Sequence, residues 1–447
     1  MLFRQFVDDD LGCASYLIGD ESSGTAVVID PAYAIEQYLA EAKKQKARLV
    51  RVLETHTHAD HVSGHGRLAL EHGLPVSVHP EAGAQFDHDP LEDGQELEIG
   101  EVTIRVLHTP GHRPEHCCFA VVDRSRGAEP WLLITGDSLL VGDAARPDLA
   151  TAADEGSRAM FLSLQRLLEL PDGVQVYPGH VAGSLCGAGM SSMHSSTIGF
   201  ERRFNHKLEL VERSEDEFVG ATTASSAPRP PNMDRIVELN RGPFVAAQPP
   251  LEPVGSPGDA TVLDVRPTGE FLGGHLEGAF NVPVSGSKFA TKAAFILTAD
   301  EPVVIRASLE DEALSATRGL HAVGLFDVRG FVTEATPTET KQPVALDELE
   351  QLVENGAEIL DVREKDERDE GYIAGSRHMP YRIVREFTDD FNGDQTVITI
   401  CSSGARAAIA ASVLQAAGVE ARPVLGGGVD DWAERGGDTV QFRRCGT

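Results

Sequence analysis

The chain reads as an α/β protein of more than one domain, and three observations carry that reading. Short apolar runs alternate with amphipathic stretches, a Pro-rich connector interrupts the middle, and the second half contains an internal repeat. Its 447 residues also exceed one ordinary core, since domains centre on roughly 100–150 residues. Hydrophobic residues at 41% and charged residues at 24% give the balance of globular material.

In the first half, 25–29, 49–53, 102–107, 131–135 and 174–177 read as buried strands, and 117–122 as another. Helical periodicity marks 35–46 and 158–170. Residues 222–258 change character: 224–232 and 248–258 are Pro-rich and cannot be element interiors. They form a connector holding one short helix near 234–240. Beyond it, Leu263-Asp-Val-Arg266 recurs as Leu360-Asp-Val-Arg363, and Pro283 and Pro380 each follow the Arg by 17 residues. In both copies a strand (302–307, 396–401) then leads into a helix ending near Gly324 or Gly418. The expected domains are 1–240 with its linker, 250–340 and 342–447.

Charge narrows the function. Lys and Arg total 39 against 70 acids, a net −31, and no basic run breaks the acidic surface. Nucleic acid and anionic membranes are therefore not expected partners. No stretch reaches the roughly 18–20 apolar residues of a membrane span. The first ten residues carry three Asp and no apolar core, so no secretory leader and a cytoplasmic location are expected. The six cysteines follow no spacing framework and read as reduced thiols.

Four strand ends carry ligand-type side chains. His56-Thr-His58-Ala-Asp60-His61 follows 49–53, Thr109-Pro-Gly-His112 follows 102–107, Asp137 follows 131–135, and His180 follows 174–177. A lone His-x-His pair would be ordinary surface; seven such residues at strand ends point to a metal. Imidazole and carboxylate donors suit zinc, iron or manganese, and the lack of a cysteine ligand argues against a closed structural zinc site. His65, His72, His79, His88 and His116 read as strand caps or surface.

This set resembles the metallo-β-lactamase fold, an αββα sandwich with its metal at one edge, over residues 1–240. That fold hosts hydrolases and oxygenases alike. A thioesterase of the hydroxyacylglutathione hydrolase kind would use all seven residues on two zinc ions. Resemblance to persulfide dioxygenases implies one Fe(II), mononuclear and non-haem, on His56, His112 and Asp137. His58, Asp60, His61 and His180 then orient ligands, or hold a second metal. Residues 136–148, with Arg146 and Asp148, resemble the segment after the iron-binding Asp of those dioxygenases. The stretch 180–205, with Cys186, resembles dioxygenases fused to sulfurtransferases. Arg146 and Arg203 are candidates for the substrate pocket, although Arg202 and Arg203 also read as a solvated helix face.

Near the C-terminus, the strand 396–400 runs into Cys401-Ser-Ser-Gly-Ala-Arg406 and an Ala-rich helix, 407–417. A thiol at a helix N-terminus is stabilised as an anion by backbone N–H groups and the helix dipole. Ser402, Ser403, Gly404 and Ala405 would cradle its persulfide, and Arg406 would hold an anionic donor. With 360–363 upstream and 426–432 downstream, residues 342–440 resemble a rhodanese, whose cysteine carries sulfur as a persulfide. In the first copy Ala307 stands at the nucleophile position and acids fill 308–312, so that copy is expected to be inactive and structural. Cys13, Cys117 and Cys118 are expected in the core, Cys445 in a tail, and Cys186 in packing near His180.

The resemblances together imply a persulfide dioxygenase–rhodanese fusion acting in sulfide detoxification. Its small-molecule partners would be a low-molecular-weight thiol persulfide, O2, and thiosulfate or sulfite; a homo-oligomer is possible. The alternative is a dinuclear zinc thioester hydrolase with an accessory rhodanese.

Overall fold

The structure is a computed structural model that describes residues 1–181, 190–223, 228–391 and 395–441. The chain divides into two compact units, residues 1–248 with 321–324, and residues 249–320 with 325–447.

The first unit contains two six-stranded sheets. One runs in chain order through Leu2–Val7, Ala14–Asp20, Thr25–Ile29, Arg48–Leu53, Val76–Val78 and Asp89–Pro90. The other runs in reverse order from Ser196–Thr197 through Gln175–Pro178, Leu132–Gly136, Cys117–Asp123 and Val102–His108 to Glu96–Ile99. Their inner faces meet in one core, with Tyr16, Ile18, Val27, Ile29 and Leu53 against Ile104, Val106, Phe119, Val121 and Ile134. Every residue of Ala14–Asp20 and of Cys117–Asp123 is buried. A strand covered on both faces reads as a continuous apolar run rather than an alternating one. Helices supply the outer layers. Ile35, Tyr38 and Leu68 cover Val28 and Val52 on one side. Met160, Phe161, Leu164 and Leu167 of the helix Ala153–Leu167 cover Leu107, Cys118 and Leu133 on the other. Sandwiched sheets between helices are the αββα arrangement that the sequence resembles.

The six strands read from the first half are present within a residue or so. Two differences have physical causes. The helix read over 158–170 begins earlier, at Ala153, with Asp154 and Glu155 in its first turn, where acids favour the helix dipole. The edge strand Leu2–Val7 is mostly half-buried, so its apolar signal is weak.

The second unit holds two four-stranded parallel sheets. In one, Thr261–Asp264 lies between Phe280–Asn281 and Val303–Arg306, with Val328–Val332 beyond. In the other, Glu358–Asp361 lies between Arg377–His378 and Val397–Ile400, with Ala421–Pro423 beyond. The repeated Leu-Asp-Val-Arg is thereby explained. Asp264 and Asp361 are buried at equivalent strand ends, and each accepts hydrogen bonds from the Arg two residues on. Asp361 also accepts from Arg368, at 3.0 Å. The copies touch: Arg385 grips both carboxylate oxygens of Glu301, at 2.7 and 2.8 Å, and the Asn281 N–H donates to Ser412 Oγ at 3.0 Å.

Burial raises the Asp361 carboxyl, but its hydrogen bond and charge pairing with Arg363 outweigh this and hold it below the usual value. A carboxylate held low stabilises the fold above its unfolded value and loses that contribution as pH falls. The second unit should therefore weaken as the pH drops below about 3.9. Asp361→Asn should cost about 3–5 kcal/mol by stranding the buried Arg363 guanidinium. Thermal melts across acid pH check both, and an unchanged melting temperature in the variant would refute the assignment.

Candidate functional site

In the first unit, loops at four strand ends bring two clusters of donors together. In the first, His56 Nε2 and His112 Nε2 lie 4.0 and 3.6 Å from Asp137 Oδ2, all three side chains essentially unexposed. Asp137 Oδ2 has no hydrogen-bond partner among the described residues. A buried carboxylate oxygen facing two imidazole nitrogens needs a cation to satisfy it, so these residues fit a metal.

Neighbours set each ligand's tautomer. Thr55 Oγ1 gives its hydrogen to Asp30 Oδ2 (2.8 Å) and so accepts from His56 Nδ1, also 2.8 Å away. His112 Nδ1 donates to the Arg146 carbonyl at 3.0 Å. Both Nε2 atoms are left as lone pairs aimed at the cluster. Burial, then the neighbouring rings of His58 and His112, hold His56 well below its ordinary pKa, which keeps it a neutral ligand. For Asp137, burial pushes upward but the charge and hydrogen bond of His180 win, so it stays ionised.

His116 is a correction. It is wholly buried rather than a cap or surface residue, and its Nε2 accepts the Asp137 backbone N–H at 2.9 Å while its Nδ1 donates to Thr109 Oγ1. It fixes the backbone that carries the carboxylate. His65 is also buried, with Nδ1 3.1 Å from Glu54 Oε1. His72 is exposed, while His79 and His88 are half-buried. Gly111, which precedes His112, has φ +147°, and a Cβ there would lie 2.5 Å from Met160 Cα. Gly111→Ala should destabilise the first unit by about 1–3 kcal/mol and weaken metal binding, read by melting and metal titration together. A variant as stable and as metal-replete as the parent would show the contact to be relaxed.

In the second cluster, His180 Nδ1 lies 2.7 Å from Asp137 Oδ1, and its Nε2 lies 2.7 Å from Asp60 Oδ2. His61 Nδ1 lies 3.2 Å from Asp60 Oδ1. Cys13 is buried as expected, but it is not inert core: its Sγ is 3.4 Å from both His61 Nδ1 and His180 Nε2. His58 stands apart from that cluster. Its Nε2 lies 3.2 Å from Glu54 Oε2 and 3.4 Å from Asp30 Oδ1. Burial alone would lower His58, yet these two carboxylates push it up to about 10.

Arg146 reaches the site through its carbonyl; its guanidinium pairs with Asp148 at 2.7 Å and donates to the Pro228 carbonyl. Arg203 is exposed on the helix Ile198–Phe204, in keeping with a solvated face. Cys186 and Cys445 lie outside the described residues. Cys117 and Cys118 are core.

In the second unit, Cys401 is buried at the end of Val397–Ile400, and the Gly404 N–H points at its sulfur, 3.1 Å away. Gly404 has φ +92° and opens the helix Ala405–Ala416, which starts earlier than read from the sequence and takes Arg406 into its first turn. Arg406 grips Glu367 with two bonds of 2.6 Å and reaches Ser402 Oγ at 3.1 Å. Ser403 and Ala405 are exposed at the loop surface. In the first copy Ala307 sits at the same strand end. There Glu312, in the first turn of the helix Glu310–Ala322 and at the position of Arg406, accepts from the backbone N–H groups of Ser308 (2.8 Å) and Leu309 (3.2 Å), so a carboxylate stands where the other copy has its guanidinium.

Known families match both regions. The metallo-beta-lactamase superfamily model matches residues 8–180, and the rhodanese-like domain model matches residues 345–435. The persulfide dioxygenase ETHE1, mitochondrial, of Bos taurus is 31% identical over 243 residues, 54% of this chain and 87% of the relative. The chain belongs to the persulfide dioxygenase family. The Homo sapiens persulfide dioxygenase is 30% identical over the same share of each chain. A metallo-beta-lactamase from Staphylococcus aureus, a crystal structure, is 30% identical with a TM-score of 0.68, covering 74% of this chain and 98% of that one. This persulfide dioxygenase family member thus combines a metallo-β-lactamase fold with a rhodanese-like domain, and its His56–His112–Asp137 cluster fits a metal. No helix among the described residues is long and apolar enough to cross a membrane.

Proposed function

We propose that the chain oxidises a low-molecular-weight thiol persulfide with O2 on a mononuclear non-haem iron held by His56, His112 and Asp137. The balance is R–S–SH + O2 + H2O giving R–SH, sulfite and two protons. The observation that carries the reading is the set of two imidazole nitrogens around an unpartnered buried carboxylate oxygen, in a chain 31% identical to a persulfide dioxygenase. Ferrous iron, held by His56, His112 and Asp137, would supply the redox chemistry O2 requires. The protein's share is orientation. Thr55 and the Arg146 carbonyl aim the imidazoles, while His116 and His180 fix the Asp137 backbone and its other oxygen.

Cys401 then exchanges sulfane sulfur, interconverting persulfide plus sulfite with thiol plus thiosulfate. The Gly404 N–H and the start of the following helix favour the thiolate and the bound persulfide. Arg406, held by Glu367, presents its charge beside Ser402 for an anionic donor. Joining the two activities keeps a shared intermediate at high local concentration. This reading places sulfide detoxification in the cytoplasm, whereas the relatives named above are mitochondrial.

Oxygen uptake by the Fe(II)-loaded full chain tests the reading. Rapid uptake with glutathione or coenzyme A persulfide, with sulfite or thiosulfate formed, is expected. No uptake, with thioester hydrolysis in its place, would make the chain a hydrolase.

A further inference from the structure

We propose that Phe442-Arg443-Arg444-Cys445 enters an acid-walled cavity beside the Cys401 loop, and that Cys445 there takes the sulfane sulfur carried by Cys401. The proposal rests on the reading of Cys401 as a sulfur carrier and adds the acceptor, a second thiol of the same chain.

In the second unit, the helices Lys365–Glu370 and Val429–Glu434 both line a cavity of about 420 Å³, with Ser402 of the Cys401 loop in its wall. Its charges are lopsided. Glu367, Glu370 and Asp430 line it against one cation, Arg363, which is already held by Asp361 at 2.8 and 3.0 Å. Glu367 is held by Arg406. Glu370 and Asp430 are exposed and have no ion-pair partner among the described residues. Such walls attract a cationic segment.

The strand register delivers one. Thr439–Val440 pairs antiparallel with Tyr372–Ile373, Thr439 opposite Ile373 and Val440 opposite Tyr372. The next residue, Gln441, lines the cavity together with Gly371 and Glu370. The chain that follows carries Arg443 and Arg444, two cations to answer the two unpaired carboxylates, and then a thiol. Cys445 lies four residues beyond Gln441, a reach of up to about 13–14 Å, whereas a compact 420 Å³ space is about 9 Å across. Gln441 and Ser402 line that same space, so the reach suffices.

Cys401 is buried, so an acceptor thiol has to come to it. Arg444 beside Cys445 favours the thiolate, the attacking form. The step is Cys401–S–SH + Cys445–S⁻ giving Cys401–S⁻ + Cys445–S–SH. Cys445 Sγ bonds the outer sulfur, and the bond from Cys401 Sγ to that sulfur breaks with its electron pair left on Cys401. The proton stays on the transferred sulfur, and no oxidant is consumed.

Persulfide mapping tests this. The full chain is loaded with thiosulfate, alkylated and digested, and sulfane sulfur on each cysteine peptide is read by mass spectrometry. The parent should carry it on both Cys401 and Cys445, and Cys401→Ser should lose it from both. Arg443→Glu with Arg444→Glu should lower the ratio of Cys445 to Cys401 labelling by roughly 2–10-fold, and adding Glu370→Arg with Asp430→Arg should restore it. In the parent the ratio should hold on dilution. An unlabelled Cys445 beside a loaded Cys401, Cys445 labelling that survives Cys401→Ser, or an unchanged ratio in the arginine variant would overturn the proposal. A ratio that falls on dilution would also overturn it, by placing the transfer between two chains. Sulfane sulfur absent from Cys401 itself would fail the sulfur-carrier reading and this proposal with it, a result distinct from a loaded Cys401 whose sulfur goes no further.

Discussion

Asp137→Ala should abolish persulfide-dependent oxygen uptake while leaving any sulfur transfer at Cys401 at the parent rate. The substitution removes Oδ2, the buried oxygen that faces both imidazoles without a partner, and Oδ1, which holds His180. Both consequences act on the same centre. Removing an outer partner of a metal ligand typically costs about 10–100-fold in affinity or activity. Losing a ligand together with its partner's anchor should therefore cost at least about 100-fold. Oxygen-electrode rates on iron-loaded variant and parent, with iron per chain measured alongside, check the expectation. Retained uptake at full iron content would remove Asp137 from the ligand set. His180→Gln gives the graded companion, a fall of about 10–100-fold, because it removes the imidazole that orients Oδ1 while keeping the ligand itself.

Cys401→Ser should bring cyanide-dependent sulfur transfer from thiosulfate to background, a loss of at least about 10³-fold, while oxygen uptake stays at the parent level. A hydroxyl at this position still accepts the Gly404 N–H but cannot carry sulfane sulfur. The first copy is not expected to compensate, since Ala307 stands at its strand end and the Glu312 carboxylate caps the N–H groups that follow. Activity surviving in Cys401→Ser would place sulfur transfer on another thiol. Together the two variants would form a double dissociation, each silencing one activity and sparing the other.

Much of the candidate site was legible because it lies on loops. His56, His58, Asp60 and His61 sit within six residues after one strand, and strand ends can be read from apolar runs. The repeat was legible because its copies align without a gap and because the buried Asp–Arg pair needs the same residues each time. Asp30, Glu54, Cys13 and His116 were not, for a common reason. Each joins the site through the pairing and packing of strands rather than through spacing in the chain. Asp30 reaches Thr55 across the parallel pair of Thr25–Ile29 with Arg48–Leu53. Cys13 reaches His180 across an isolated bridge between segments far apart in sequence. A single sequence shows which residues are chemically able, and the pairing of strands then selects which of them meet.

The Glu312 carboxylate in the first repeat bears on what it would take to make that loop a sulfur carrier. The backbone N–H groups of Ser308 and Leu309 already have an acceptor there, and a capped helix start is typically worth about 0.5–2 kcal/mol. Restoring only the thiol, by Ala307→Cys, would set a nascent thiolate against that carboxylate and leave the loop inert. Reversal has to pass through a variant that surrenders the cap before any sulfur can be carried. A cap of that kind would hold the loop away from sulfur chemistry by its own contribution to stability.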